Sequence, residues 1–446
     1  MKIHSCYSIQ IQKYNKIFND TLYMYRKIVS WYIRVLDKEW EVQGFEDMSD
    51  FDRSAMVDKL THKTKQNPNP KYDFKQAFFG KHANQKVPSN YKDAAKTAAI
   101  GSYSSYYSSL KNWENEDEKT RGKKPTMQNK RNMFPVLYKS MNNNYIRTDF
   151  YAARIKIYKK KTNSWEWIDV ELKNQNVRNV NKKVLDYDYK EESPTLIKKG
   201  NRWNLAFPFE TSVKLENVKI KDQIIASVYL GTQPYAVVSI MNYKGEILAR
   251  HFIDYPELRH PFYHSIGKIK QAQQHGSKRM PNKWNVVNNY NREIARRTAK
   301  EIVDFSEKFG FNVIVFEHLD RSGKKHSTNK QVLALWRGKA IQDLVEHKCH
   351  LLGKRVSTVN GYNSKYLAFD GTGKTKNSNN EIVFENGKVY NKYLNASYNL
   401  GARYFIREII KDNSKLKKKT DEEINKIYSA PSQRTLNTLF ELNRAI

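Results

Sequence analysis

The chain has 446 residues, and its 79 Lys plus Arg against 46 Asp plus Glu give a formal net charge of +33. That length supports two or three domains with their own cores, and that charge calls for a polyanionic partner, because the free chain would repel itself. The two cysteines, Cys6 and Cys349, exclude a disulfide framework and a four-Cys zinc ribbon; with no apolar run of about 18 residues and no signal-peptide pattern at Met1-Lys2-Ile3-His4-Ser5, a soluble, cytoplasmic protein with reduced thiols and no membrane partner is expected.

Aromatic residues make up 13% of the chain, including 29 Tyr. Interleaved with Lys and Arg, they suit stacking on bases as well as phosphate contact. An AT-rich genome would also inflate Tyr, Asn and Lys together, but it does not account for the shortage of acids.

Ser8-Ile9-Gln10-Ile11 alternates and predicts a strand. From about Tyr14 the apolar residues Phe18, Leu22, Tyr25, Ile28, Tyr32 and Val35 recur every three or four positions and predict a helix. A second helix is expected from about Tyr91 to Trp113, after the cap Pro88-Ser89-Asn90. Its stripe of Ala94, Ala95, Ala98, Ala99 and Ser102 admits close approach of another helix or, as the alternative, of a nucleic-acid backbone. Beyond the charged stretch Glu114 to Pro125 the period changes to two. Phe134 to Tyr138, Ala153 to Tyr158, Trp165 to Val170 and Trp203 to Phe207 predict strands of a small barrel. Arg154-Ile155-Lys156-Ile157-Tyr158-Lys159 has one apolar and one basic face, a platform for nucleic acid or simply a solvated outer face.

From about Lys221 a second architecture is expected. Ile224 to Leu230, Tyr235 to Met241 and Glu246 to Ile253 predict three consecutive strands, with turns at Gly231 to Pro234 and Asn242 to Gly245. A helix from about Val286 to Phe309 stops at Gly310, and strand Val313 to Phe316 then delivers Glu317. A helix from about Gln331 to Leu352, a strand Arg355 to Val359 and a last helix from near Leu394 follow. This succession is the order of an RNase H-like fold. The run Lys415, Lys417, Lys418, Lys419 precedes a C-terminal segment expected to be weakly held or moulded on RNA.

Asn395-Ala396-Ser397-Tyr398-Asn399-Leu400-Gly401-Ala402-Arg403-Tyr404-Phe405 resembles the helix opening the third RuvC segment of TnpB proteins, the transposon-encoded RNA-guided nucleases related to type V CRISPR effectors. Ile314-Val315-Phe316-Glu317-His318-Leu319 is similar to their second segment, and Val228-Tyr229-Leu230-Gly231 to their first. The stretch Asn363 to Lys374 resembles the linker of relatives that lack the zinc ribbon. The resemblance implies a multidomain α/β protein. It would have a wedge-type β-barrel (1–13 and 125–220) with an inserted helical recognition lobe (14–124), a RuvC-like domain of RNase H fold without a zinc ribbon (221–410), and a basic C-terminal segment (411–446).

Three carboxylates would hold two metal ions in such a nuclease. Here Tyr229 and Tyr393 stand at two of those positions and only Glu317 is acidic. A phenol titrates near pH 10 and is a poor ligand for magnesium, which wants hard oxygen donors. The implied site (Tyr229, Glu317, Tyr393) is therefore degenerate, with no catalytic residue, metal or zinc expected and no enzymatic activity. Asp254 or Asp370 restoring the carboxylate set is the alternative. The phenols are expected to fill the space of the ions, with a hydroxyl bonding Glu317.

The resemblance, to the nuclease-dead TnpB-derived repressors (TldR) in particular, implies an RNA-guided DNA-binding protein that blocks RNA polymerase at guide-matched promoters. Its partners would be a guide RNA and double-stranded target DNA opened as an R-loop beside a short duplex motif. For the guide RNA the expected contacts are Arg154, Lys156, Lys159, Lys160 and Lys161; for the heteroduplex Lys268, Lys270, Lys278, Arg279, Lys283 and Trp284; for the motif Tyr72, Lys75, Gln76, Ser102 and Ser105. Two other readings stand: a guided nuclease with displaced carboxylates, and a non-guided RNA- or DNA-binding protein.

Overall fold

The computed structural model describes residues 1–13, 16–79, 87–118, 121–139, 144–173, 177–277, 279–319, 337–373, 375–378, 380–413 and 420–445. They form two compact units, residues 2–212 and residues 213–446 with Met1. Among them no helix is long and apolar enough to cross a membrane.

In the first unit, helix α1 (Ile17–Glu39) follows strand β1 (Lys2–Gln10) and buries the predicted stripe, Phe18, Leu22, Tyr25, Ile28, Tyr32 and Val35. Helices α2 (Asp50–Thr61), α3 (Phe74–Phe79) and α4 (Ser89–Asn115) follow. The small residues of α4 are what let it lie close on α1: Ala94, Ala95 and Ala99 are buried, and the Tyr25 hydroxyl donates to the Ala94 carbonyl at 3.2 Å. Helix packing therefore accounts for that stripe.

Strands β2 (Tyr145–Asp149), β3 (Ala152–Lys159) and β4 (Ser164–Glu171) form an antiparallel sheet; β5 (Tyr189–Glu191), β6 (Thr195–Lys199) and β1 all pair with the long β7 (Arg202–Ser212). Helix α5 (Val177–Leu185) lies between β4 and β5 in the chain. The expected barrel is here two sheets that meet where Ile11 bridges Leu172 and again where Arg147 of β2 pairs with Glu191 of β5 and Tyr145 packs edge-on against Phe207 of β7. No closed ring of paired strands occurs among the described residues. The predicted strand at Phe134 to Tyr138 is reduced to one bridge, Val136 to Thr195, since Pro135 has no N–H to give to a ladder. One continuous apolar core runs through helices and sheets, so the expected barrel and helical lobe share a core and do not separate here.

The second unit is built on a five-stranded sheet of order β10-β9-β8-β11-β12, comprising β8 (Ile224–Leu230), β9 (Ala236–Asn242), β10 (Ile247–Ile253), β11 (Val313–Glu317) and β12 (Arg355–Val359). The first three are antiparallel, and β11 runs parallel to both β8 and β12. Central strands buried on both faces read as near-continuous apolar runs, as Ile224–Leu230 does. Two helices, α6 (Pro256–Gln274) and α7 (Pro281–Glu307), occupy the connection where one was expected. Helix α8 (Gly338–Leu351) precedes β12; the expected start of that helix, with Val332, Leu335 and Trp336, lies outside the described residues.

Helix α9 (Lys392–Asp412) covers the other face of the sheet. Gly401 lets it approach closely, because a Cβ there would lie 3.2 Å from that of Ser227. Strands β13 (Lys376–Ser378), β14 (Glu381–Val383) and β15 (Val389–Asn391) make a small sheet with its own core of Ala368, Ile382 and Phe384. The C-terminal segment corrects the expectation of a weakly held tail. Helix α10 (Asp421–Tyr428) opens on a capping box from Thr420 and Glu423, and α11 (Leu436–Ala445) buries Leu436, Leu439 and Leu442 in the same core as α9. Lys415 and Lys417 to Lys419 lie outside the described residues.

Candidate nucleic-acid interface

Strand β8 ends at Tyr229 and Leu230, β11 at Glu317, and α9 begins at Lys392 and Tyr393, all within the second unit. Parallel pairing of β8 with β11 puts Val228 beside Phe316, so the two strand ends are neighbours. Asn391 caps α9, accepting from the backbone N–H groups of Tyr393 and Leu394, which fixes the first turn over the same edge. The three segments named from the sequence therefore converge. They line a cavity of about 950 Å³.

Tyr229 is 6% exposed, and its ring stacks on that of Tyr393 with centroids 5.5 Å apart and planes 21° from parallel. Burial first, then the charge of Glu317, pushes the Tyr229 phenol well above its usual value, so it is a neutral hydroxyl. Lys365 lies 5.1 Å over the Tyr229 ring and Lys392 5.1 Å over that of Tyr393. The expected bond from a phenol to Glu317 is replaced at Tyr393, whose hydroxyl donates to Asn380 Oδ1 at 3.3 Å. Glu317 is pressed against Gly361, where a Cβ would stand 2.6 Å from the carboxylate Oε2. Gly361 is thus the residue that leaves Glu317 its room.

Among the described residues lining the cavity Glu317 is the only carboxylate, against Lys365, Arg403, Arg407 and Arg434. Two magnesium ions need carboxylates that bridge and balance them. This set does not fit a two-metal centre. Asp254 and Asp370 do not complete it: Asp254 pairs with Arg259, and Asp370 accepts from Thr372 within its own turn and from Asn386 in the turn between β14 and β15. Neither lines the cavity.

The most ordered part of the site was not among the predicted residues. Asn395, Asn399, Arg403 and Arg407 recur every fourth residue on α9, one face of a helix. Asn395 Nδ2 donates to the Ser364, Lys365 and Leu367 carbonyls, and Asn399 Nδ2 to those of Ser364 and Leu367. Arg403 donates to the Asn360 and Tyr362 carbonyls on one side and to Ser432 and Arg434 on the other. Arg407 donates to the Thr358 carbonyl. This ladder pins the loop after β12, and with it the cavity wall, to the helix. Its signal was legible: polar residues at strict four-residue spacing in an otherwise apolar stretch.

The predicted nucleic-acid contacts fall out as follows. Arg154 is exposed but bonded to both carboxylate oxygens of Asp169, and Lys159 pairs with Glu166 at 3.2 Å. Lys156 sits 5.8 Å over the Trp167 ring, Lys160 5.8 Å over that of Tyr23, and Lys161 is exposed. Lys75 and Gln76 are exposed in the first turn of α3, and Ser105 is exposed on α4. One residue is corrected: Ser102 is buried and bonds Gln128; Tyr72 is half-buried, and its hydroxyl donates to the buried Glu39 at 2.8 Å. Lys268, Lys270, Arg279 and Lys283 are exposed, Trp284 on α7 is half-buried against the apolar cluster that includes Phe262, Ile266 and Ile269 of α6, and Lys278 lies outside the described residues. Among the described residues the one group with metal-ligand spacing is His4, Glu192 and Glu210, where Glu210 already pairs with Lys2 at 2.9 Å.

Residues 5–159 match the family described as the Aq_aa04 family. Over 176 residues, 35% of the chain, the sequence is 28% identical to the "TnpB-like protein aq_aa05" of Aquifex aeolicus (strain VF5). The match spans 56% of that protein, a little over half its length. Among solved structures the chain resembles a Cas12f1–sgRNA–target DNA complex (14% identity, 89% of this chain and 98% of that one, TM-score 0.33). It also resembles Alicyclobacillus acidoterrestris C2c1 with single-guide RNA (8% identity, 88% and 70%, TM-score 0.42). The chain is a mixed α/β protein of two units, similar in sequence to a TnpB-like protein.

Proposed function

We propose that the protein is an RNA-guided DNA-binding protein without nuclease activity, one of the TnpB-derived repressors, and that it silences promoters by occupying them. The observation that carries this reading is the stacked Tyr229–Tyr393 pair beside Glu317, at the edge of a sheet whose strand order is that of an RNase H-like domain. Losing the metal pair removes the water activation and leaving-group stabilisation on which such cleavage depends, worth orders of magnitude in rate. What remains is a cationic surface suited to hold a strand without cutting it. Similarity to a TnpB-like protein supports the lineage, and the formal charge of +33 supports a nucleic-acid partner.

A guide RNA would supply sequence by base pairing while the protein reads the adjacent duplex motif and the heteroduplex backbone. Affinity would then fall steeply with salt. The test is to purify the protein from cells, sequence its bound RNA and map its DNA occupancy in the same cells. One dominant RNA whose end matches the occupied DNA beside a constant motif supports guided binding. Heterogeneous RNA with occupancy unrelated to it refutes guiding and leaves a general polyanion binder. Cleavage of the matched DNA on adding magnesium refutes the loss of nuclease activity.

A further inference from the structure

Arg403 and Arg434 are 3% and 6% exposed, and both line the cavity beside the tyrosine pair. Buried guanidinium groups are ordinarily matched by carboxylates. Neither of these has an ion-pair partner among the described residues. Arg403 is satisfied by four backbone carbonyls, and Arg434 by the Ser429 carbonyl and the Asn425 side chain. These acceptors are neutral, so both positive charges remain. Burial, and secondly the charge of Arg434, pulls Arg403 down to about 10, while Glu317 opposes that shift. Burial also lowers Arg434. A pair of like charges has been placed at a cavity wall at a cost the fold bears elsewhere.

We propose that this cavity is a metal-independent anion site that takes the phosphate of a nucleotide, with Arg403 and Arg434 supplying the charge and the exposed Tyr362 at the rim receiving the base. Three features converge on that ligand. The wall is cationic where a metal site would be anionic. The floor is aromatic, and exposed Tyr362 adds a further ring at the rim. A volume of about 950 Å³ accommodates a mononucleotide. The phosphate would arrive either on a free nucleotide or within a single strand. The inference does not depend on a guide RNA and survives if the guided reading fails.

The experiment uses the full chain in buffer containing EDTA. Fluorescently labelled ATP and a labelled 12-nucleotide single strand are titrated separately by anisotropy, each with unlabelled ATP and unlabelled strand as competitors. Binding without magnesium is expected, weakened at least tenfold by R434Q. Competition by ATP identifies free nucleotide as a source, and competition by the strand alone identifies the strand. Thr232 lines the cavity, so T232D, which adds a negative charge at the rim, carries the test if R434Q fails to fold. K300Q removes one exposed charge from α7, away from the cavity, and should leave affinity unchanged. Three results each overturn the proposal: no binding of either probe, binding that requires magnesium, or equal losses in K300Q and T232D.

Discussion

The outer surface of the β3–β4 sheet and the wall of the Tyr229 cavity both carry conspicuous positive charge, and their partners make them chemically different. On the sheet, register decides: Arg154 stands opposite Asp169, and Lys159 reaches Glu166. Cross-strand pairs of this kind hold each cation against an acid of the same surface. At the cavity, Arg403 and Arg434 are held by neutral acceptors, so their orientation is fixed while their charge stays available. A basic strand in a sequence therefore says little about free charge until its neighbour is known. A buried arginine that bonds only carbonyls says a good deal.

Removing the best-held cation gives the largest expected effect. R403M should destabilise the second unit by about 3 kcal/mol or more, because buried carbonyls lose their donors together. Urea unfolding measures this, and an unchanged midpoint would mean that the ladder along α9 holds nothing. Next comes Y229D, which replaces a buried ring by a carboxylate beside Glu317. A loss of about 2–4 kcal/mol at neutral pH is expected from the cavity and the like charge. The new carboxyl has a raised folded-state value, so the loss should shrink as pH falls and it is protonated. The double variant Y229D/Y393D extends the comparison: millimolar magnesium should raise its melting temperature and leave the unmodified chain unaffected.

Smaller effects test the finer contrasts. Y393F keeps the ring stack and loses only the bond to Asn380, so a change below about 1 kcal/mol is expected. A larger loss would move the weight from the stack to the hydroxyl. On the sheet, D169N should leave the unfolding midpoint in place and free Arg154. Affinity for single-stranded RNA should rise slightly, with the log–log salt slope steeper by about one. An unchanged slope would show that this face does not meet phosphate.

Much of the fold was written in local pattern. The stripe of α1, the alternation of β3 and the apolar runs of β8 and β9 each follow from a periodicity that burial of one or both faces demands. The elements that escaped notice are short or lack that signal. Strands β13 to β15 have three residues each, and Pro261 lies inside α6. At the site, Tyr229, Glu317 and Tyr393 were placed correctly as neighbours because each sits at the end of a strongly patterned element. Ser102 was misplaced as a surface contact, since a small side chain carries no mark of which face it takes.

The sequence by itself determined the charge, the main helices and strands, and the element ends where Tyr229, Glu317 and Tyr393 stand, because these depend on composition and near neighbours along the chain. Only the tertiary structure decided which charges are spent. Asp169 lies 15 positions from Arg154, while Arg403 meets its carbonyls 29 to 43 positions away. Such partners are chosen by strand register and by the packing of α9 on the sheet, and no local spacing encodes them.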